Sequence, residues 1–192
     1  MKQVISILYG SVRTARMGIK VAQYLKQEVE KRGHKVHLID PLEYPLPMLD
    51  RMYKEYDEGE APENMEKVAQ MLRESDGFLL VTGEYNHSIP PALKNLLDHY
   101  QKEYHFKPSG IAAYSAGSFG GMRAAVHLRV IMGELGAPSI PSLLPFPKIR
   151  QLFDEHGQPT NDITPKSTQR FLDEFEWYIQ ALKAQREQGT PY

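Results

Sequence analysis

The chain has 192 residues, with 23 Lys+Arg against 24 Asp+Glu, a formal charge of -1, and no cysteine. The missing thiols exclude disulfides, iron–sulfur clusters, thiolate metal sites and a cysteine nucleophile. The near-zero charge argues against both a basic nucleic-acid binder and a strongly acidic docking carrier, and no apolar run approaches the roughly 20 residues that span a bilayer.

Val4 to Tyr9 is a short β-branched run stopped by Gly10 and predicts a buried strand. Val21, Ala22, Leu25 and Val29 then fall at helical spacing within 17–31, and Gly33 sits where that helix stops. Lys35 to Ile39 reads as a second strand. Residues 41–61 hold three prolines among tyrosines and methionines, and a loop of that length in a compact domain is expected to be functional or mobile. Met65, Val68, Ala69 and Leu72 predict a helix opened by Pro62-Glu63. Phe78 to Thr82 is an unbroken apolar run of the kind found in central parallel strands.

After the polar loop 83–90, residues 91–104 read as a helix with Leu93, Leu97, Tyr100 and Tyr104 along one stripe. Gly110 to Tyr114 is a fourth strand, and the small-residue loop 115–121 leads into a helix ending near Glu134. A fifth strand is expected from Ser139 to Leu144, and Thr164-Pro165 reads as an N-cap with proline at the first helical position. Phe171, Leu172, Phe175, Tyr178, Ile179 and Leu182 mark the final helix, with residues 186–192 expected to fray. Strands and helices alternate throughout, without repeat or linker. The expectation is therefore one α/β domain over 1–192, a five-stranded parallel sheet with helices on both faces. The pattern does not specify strand order. In either common order, ligands bind at the carboxyl ends of the strands.

Three loops leave those ends. Gly10 to Gly18 combines a helix N-terminus with the hydroxyls of Ser11 and Thr14 and the guanidinium forks of Arg13 and Arg16, which suits a phosphate-sized anion; the alternative is a simple N-cap with two solvated arginines. The loop fails the P-loop spacing, and Val12 breaks the dinucleotide fingerprint. Glu84-Tyr85-Asn86-His87-Ser88 offers a ring and amides to a flat heterocycle, or merely a turn and cap. Ser115 to Gly121 lets backbone approach a ligand closely, or is merely a tight connection.

Gly10-Ser11-x-Arg13-x-x-Arg16, then Glu84-Tyr85-Asn86-x-Ser88-x-Pro90-x-x-Leu93-Lys94-Asn95-x-x-Asp98, then Ser115-x-Gly117-x-x-Gly120-Gly121-x-Arg123 resemble the NADPH-dependent FMN reductase family, which includes flavodoxin-like quinone, azo-dye and chromate reductases. The resemblance covers roughly residues 3–145. This chain departs from it at Gly83, where many members carry proline, and at Met17 and Gly18, where serine or asparagine is common.

The resemblance implies a flavodoxin-like three-layer sandwich. It implies that FMN is the cofactor, with its phosphate on Ser11, Arg13 and Arg16 of the loop that Gly10 opens. Glu84, Tyr85, Asn86 and Ser88 would hold the isoalloxazine and ribityl edge. Ser115, Gly117, Gly120 and Gly121 would line the pyrimidine end. NADPH or NADH would deliver hydride, and a small acceptor such as a quinone, flavin or azo compound would then be reduced in ping-pong fashion. No catalytic side chain or metal is required: Glu84 is expected to position its loop, His87 to be solvated, and His99 and His105 beside Asp98 to lack metal geometry. A homodimer or homotetramer is implied, with the stripe from Leu93 to Tyr104 as a possible contributor unless it faces the sheet, and with the 41–61 loop covering the flavin of a partner subunit. A cytoplasmic enzyme is expected. The alternatives are a flavodoxin-like electron-transfer or flavin-sensing protein that works by docking, and a phosphate-binding module without flavin.

Overall fold

The computed structural model describes residues 2–192. Five strands, β1 (Val4–Tyr9), β2 (Lys35–Ile39), β3 (Gly77–Gly83), β4 (Ser109–Tyr114) and β5 (Ser139–Phe146), pair in the order β2-β1-β3-β4-β5. Every pairing is parallel. Six helices connect and cover them: α1 (Ile19–Lys31), α2 (Glu63–Glu74), α3 (Pro91–Asp98), α4 (Met122–Glu134), α5 (Ile149–Leu152) and α6 (Ile163–Arg186). The order reverses between β1 and β3, so a crevice opens at their carboxyl ends, where open parallel sheets take ligands.

Strand alternation divides the core into two layers. Ile5, Ile7, Tyr9, Leu79, Val81, Ala112 and Tyr114 face the side covered by α1, α5 and α6. Leu8, Phe78, Leu80, Ile111 and Ala113 face α2, α3 and α4. β3 and β4 are buried along their whole length, which explains why they read as continuous apolar runs. The amino-terminal ends of β1 and β3 are pinned by polar contacts: Asp76 accepts from the Val4 N–H at 3.0 Å and pairs with Lys183 at 3.0 Å, joining β1, β3 and α6.

Several boundaries differ from expectation. The helix expected over 91–104 stops at Asp98, followed by a separate 3₁₀ turn over Lys102–Tyr104. The His99 carbonyl is taken by the Tyr53 N–H at 2.8 Å, and Gln101 lies at φ -144°, ψ -71°, outside the helical basin. Leu93, Leu97, Tyr100 and Tyr104 are all buried within their own chain, so the stripe faces the core and cannot form a subunit contact. The cap of α6 is Asn161, whose Oδ1 accepts from the Ile163 and Thr164 N–H groups at 2.9 Å each; Thr164 and Pro165 lie inside the first turn. β5 runs on to Phe146, and the short α5 that follows had no predicted counterpart. The 41–61 segment is tied to its own chain: Asn95 holds Pro47 and Leu49, and the Tyr53 hydroxyl donates to Glu66 at 2.8 Å. Among the described residues, no helix is long and apolar enough to cross a membrane.

Candidate active site

The loop after β1 begins with Gly10, whose N–H continues the ladder to the Val81 carbonyl at 3.2 Å; it carries the loop without lining a cleft. Ser11 is buried, with its Oγ 3.0 Å from the Tyr85 hydroxyl, which joins the first loop to the second. Arg16 reaches back. Its Nη1 lies 2.5 Å from Oδ1 of Asp40, the buried residue just after β2, and its guanidinium sits 5.5 Å over the Tyr9 ring. The hydrogen bond to Asp40 raises the Arg16 pKa further, so the guanidinium keeps its charge. Arg13 stays exposed, 6.0 Å from the Tyr85 ring centroid.

The second loop is built around Glu84. Its side chain accepts from Arg123 Nε at 2.8 Å, from Nη2 at 2.5 Å and from the Arg123 N–H at 3.2 Å. Burial pushes the carboxyl pKa up, but these Arg123 contacts outweigh it and hold the group below its usual range. Glu84 is thus a fixed carboxylate tying the β3 loop to the start of α4, not a proton donor. Tyr85 and Ser88 exchange backbone hydrogen bonds at 2.9 and 3.0 Å, and the residues between them, Asn86 and His87, both have positive φ (48° and 68°). That tight turn accounts for Asn86, a residue that tolerates the left-handed basin. Ser88 Oγ faces His127 Nδ1 at 3.3 Å, and His87 is exposed at the tip.

In the third loop, Ser115 Oγ and the Lys148 N–H both bond the Gly117 carbonyl, at 3.0 and 2.9 Å. Gly121 has φ 78°, and a Cβ there would lie 2.8 Å from the Tyr114 carbonyl oxygen, so only glycine fits.

These loops enclose a cleft of about 360 Å³, within the usual range of small-molecule sites. Ser11, Arg13, Arg16 and Met17 line one side, Gly83, Glu84 and Tyr85 another, and Tyr114, Ser115, Ala116, Ile149 and Arg150 the rest. Of the expected site residues, Ser11, Arg13, Arg16, Glu84, Tyr85 and Ser115 meet there. Gly10, Asn86, Ser88, Gly117, Gly120 and Gly121 shape the loops behind it and do not line it. Tyr114 and Arg150 had not been anticipated. Tyr114 is wedged between two glycines: a Cβ at Gly18 would fall under 3.0 Å from its ring and hydroxyl, and one at Gly83 would lie 3.0 Å from its Cζ and Oη. Two of the departures from the family pattern, at 18 and 83, therefore accommodate one ring. Burial raises the pKa of Tyr114 and of Tyr9, whose hydroxyl is buried without a hydrogen-bond partner. Both phenols can only act as protonated donors or packing groups.

Residues 4–151 match the family model described as NADPH-dependent FMN reductase. The chain belongs to that family. It is an oxidoreductase whose cofactor is FMN, with NAD(P)H as donor. As an FMN reductase it is similar to a quinone reductase of Pseudomonas putida, 29% identical over 188 residues covering 94% of this chain and 96% of the relative. Among solved structures it is similar to FerB, a flavoenzyme NAD(P)H:(acceptor) oxidoreductase from Paracoccus denitrificans, with TM-score 0.76, 25% identity, and 93% and 98% of the two chains covered. A flavodoxin variant from Pseudomonas aeruginosa superposes with TM-score 0.54 at 19% identity over 92% of this chain and 99% of that one, a likeness of fold alone. The donor set fits the family's cofactor. Ser11 and Arg13 supply a hydroxyl and an unpaired guanidinium for a phosphate, and the 83–85 and 115–116 segments supply backbone walls for a planar ring system.

Proposed function

We propose that the chain is an FMN-dependent NAD(P)H oxidoreductase working by a ping-pong cycle, in which the donor leaves before a small acceptor such as a quinone, a flavin or an azo compound enters. The observation that carries this reading is the cleft at the carboxyl ends of β1, β3 and β4, built from all three motif loops. When bound, FMN supplies the hydride and electron chemistry. The protein's part is to bind, orient and polarise. Ser11 and Arg13 hold the phosphate end. Arg16, neutralised by Asp40, fixes the loop that carries them. The Glu84–Arg123 pair sets the distance between the β3 loop and α4, and Tyr85 closes the wall over Ser11. Gly117, Gly120 and Gly121 keep the 115–121 backbone close to the ring site. Backbone N–H groups of that loop favour the negative charge of the reduced state. At the cleft, Glu84 is held ionised and the buried Tyr114 phenol is held protonated, so neither trades protons near neutral pH.

We place all of 1–192 in one domain, and the enzyme in the cytoplasm, where its pyridine-nucleotide donor is made. We propose a homodimer or homotetramer; the exposed stripe of Phe119, Val126 and Val130 on and before α4, beside the cleft loops, supports it. The names of the Pseudomonas putida and Paracoccus denitrificans relatives support a small acceptor. The test is steady-state kinetics with NADPH and a benzoquinone, both varied. Parallel double-reciprocal lines are expected, together with prompt anaerobic bleaching of the flavin band by NADPH. Intersecting lines would overturn ping-pong. Slow bleaching with negligible turnover would favour the electron carrier.

A further inference from the structure

Five charged side chains meet at or directly behind the cleft besides Arg13: Arg16, Asp40, Glu84, Arg123 and Arg150. Four of them cancel in pairs, Arg16 with Asp40 and Glu84 with Arg123. Among the described residues, no carboxylate lies within 4.0 Å of a nitrogen of Arg13 or Arg150, and the Arg150 side chain makes no hydrogen bond. The cleft therefore presents two uncompensated guanidinia, matching the double negative charge of a phosphate monoester.

The position of Arg150 decides which end of a ligand it meets. The segment before it is stitched to the third loop: Lys148 N–H donates to the Gly117 carbonyl at 2.9 Å and Ile149 N–H to the Ser115 carbonyl at 3.1 Å. Lys148 sits in the left-handed basin at φ 48°, and of the two residues that follow it into the cleft lining Ile149 is buried and Arg150 exposed. The segment after it packs on α1, the helix that opens from the first loop. Phe153 lies 5.6 Å from the Tyr24 ring, and Lys20 Nζ donates to the Asp154 carbonyl at 3.2 Å. α1 itself has no capping side chain and no acid in its first turn. Arg150 thus lines the same cleft as Arg13, on a segment that bridges the third loop and α1.

We propose that Arg150 is the second phosphate-binding guanidinium of the FMN site, acting with Arg13, and that Arg16 is a positioning residue whose charge is already neutralised. This rests on the FMN reading above. It gives a role to a residue outside the three motif loops.

The test compares FMN with riboflavin, which lacks the phosphate, by flavin-fluorescence titration of the full-length flavin-free protein. The proteins are wild type, Arg150→Ala, Arg150→Lys and Arg13→Ala. A charge-assisted contact of this kind is worth about ten- to hundredfold in affinity. Arg150→Ala should weaken FMN by at least about tenfold and leave riboflavin unchanged, Arg150→Lys should recover part, and Arg13→Ala should behave alike. Wild type that binds FMN no better than riboflavin would overturn the FMN-site reading itself. Wild type that prefers FMN, with an Arg150→Ala variant that matches it, would overturn only the assignment of Arg150. Equal weakening of both flavins would make Arg150 structural. An unchanged FMN affinity with a raised KM for NADPH would assign it to the donor instead. The last two outcomes also refute the proposal.

Discussion

Gly18→Ala isolates the packing that builds the cleft floor. Gly18 has φ -66° and ψ -14°, a conformation alanine adopts freely, so no backbone strain enters. The added methyl carbon would fall under 3.0 Å from the Tyr114 ring, where ordinary contact begins at 3.4 Å. The ring has little room to retreat, because it also lies so close to Gly83 that a Cβ there would sit 3.0 Å from its Cζ and Oη. Overpacking of this kind costs about 1–3 kcal/mol. Taking about 2 kcal/mol, a domain of this size should lose roughly 4–8 °C in Tm. Tyr114→Ala alone should cost about 3 kcal/mol, the low end for an aromatic truncation because the site opens on a cleft. In the double variant the methyl occupies space the ring has left, so the cost should match that of Tyr114→Ala alone, a coupling of about 2 kcal/mol. Gly117→Ala is the control. Nothing lies within 4 Å of its Cβ position, and its stability should stay within about 0.5 kcal/mol of wild type. The assay is urea unfolding without flavin, because bound ligand would add its own stabilisation. Additivity of the two substitutions within about 0.5 kcal/mol would refute the wedge.

Arg16→Ala strands the buried Asp40 carboxylate and should cost about 3 kcal/mol in urea unfolding, with Asp40→Asn in the same chain restoring part of it; an unchanged midpoint for the single variant would show that the pair is idle. Glu84 has a depressed folded-state pKa, so its contribution is present above its ordinary value of 4.5 and lost as pH falls through the folded value. The stability gap between wild type and Glu84→Gln, about 1 kcal/mol with Arg123 half exposed, should therefore be flat near neutrality and shrink below about pH 4.5; a gap independent of pH would contradict the pairing. Met48 is 79% exposed on the 41–61 loop; if that loop covers a partner's flavin, Met48→Ser should raise acceptor KM without lowering Tm, and unchanged kinetics would remove the loop from that role.

The strands and loops were legible because their signals are local. Apolar runs bounded by glycine mark β1, β3 and β4, and each leads directly into the loop that forms the cleft. What was misread depends on distant partners. Tyr100 and Tyr104 keep helical spacing, but α3 ends before them because the His99 carbonyl is claimed by Tyr53, far away in the chain. Thr164 looks like a cap, yet the helix has already begun before it, with Asn161 accepting from the Ile163 and Thr164 N–H groups. Tyr114 carried a signal in retrospect: two small residues replacing larger ones, at 18 and 83, face one bulky side chain. Arg150 carried none, since it lies beyond the last strand in a segment without a motif.

Residue type also misleads where charge is concerned. Arg13 and Arg16 look equivalent in the first loop, three residues apart, but the fold gives only one of them a buried carboxylate. Glu84 looks like an acid in a cleft, but Arg123 converts it into a strut. What a ligand meets is the charge left after such pairs cancel. A chain of formal charge -1 thereby presents a positive cleft through Arg13 and Arg150. FMN and pyridine nucleotides are both anions, so this residual field favours cofactor and donor alike. Quinones and azo compounds need carry no charge, and the field does little to choose among them. Selection among uncharged acceptors is therefore left to the shape of the cleft walls, the Tyr85 and Tyr114 rings among them.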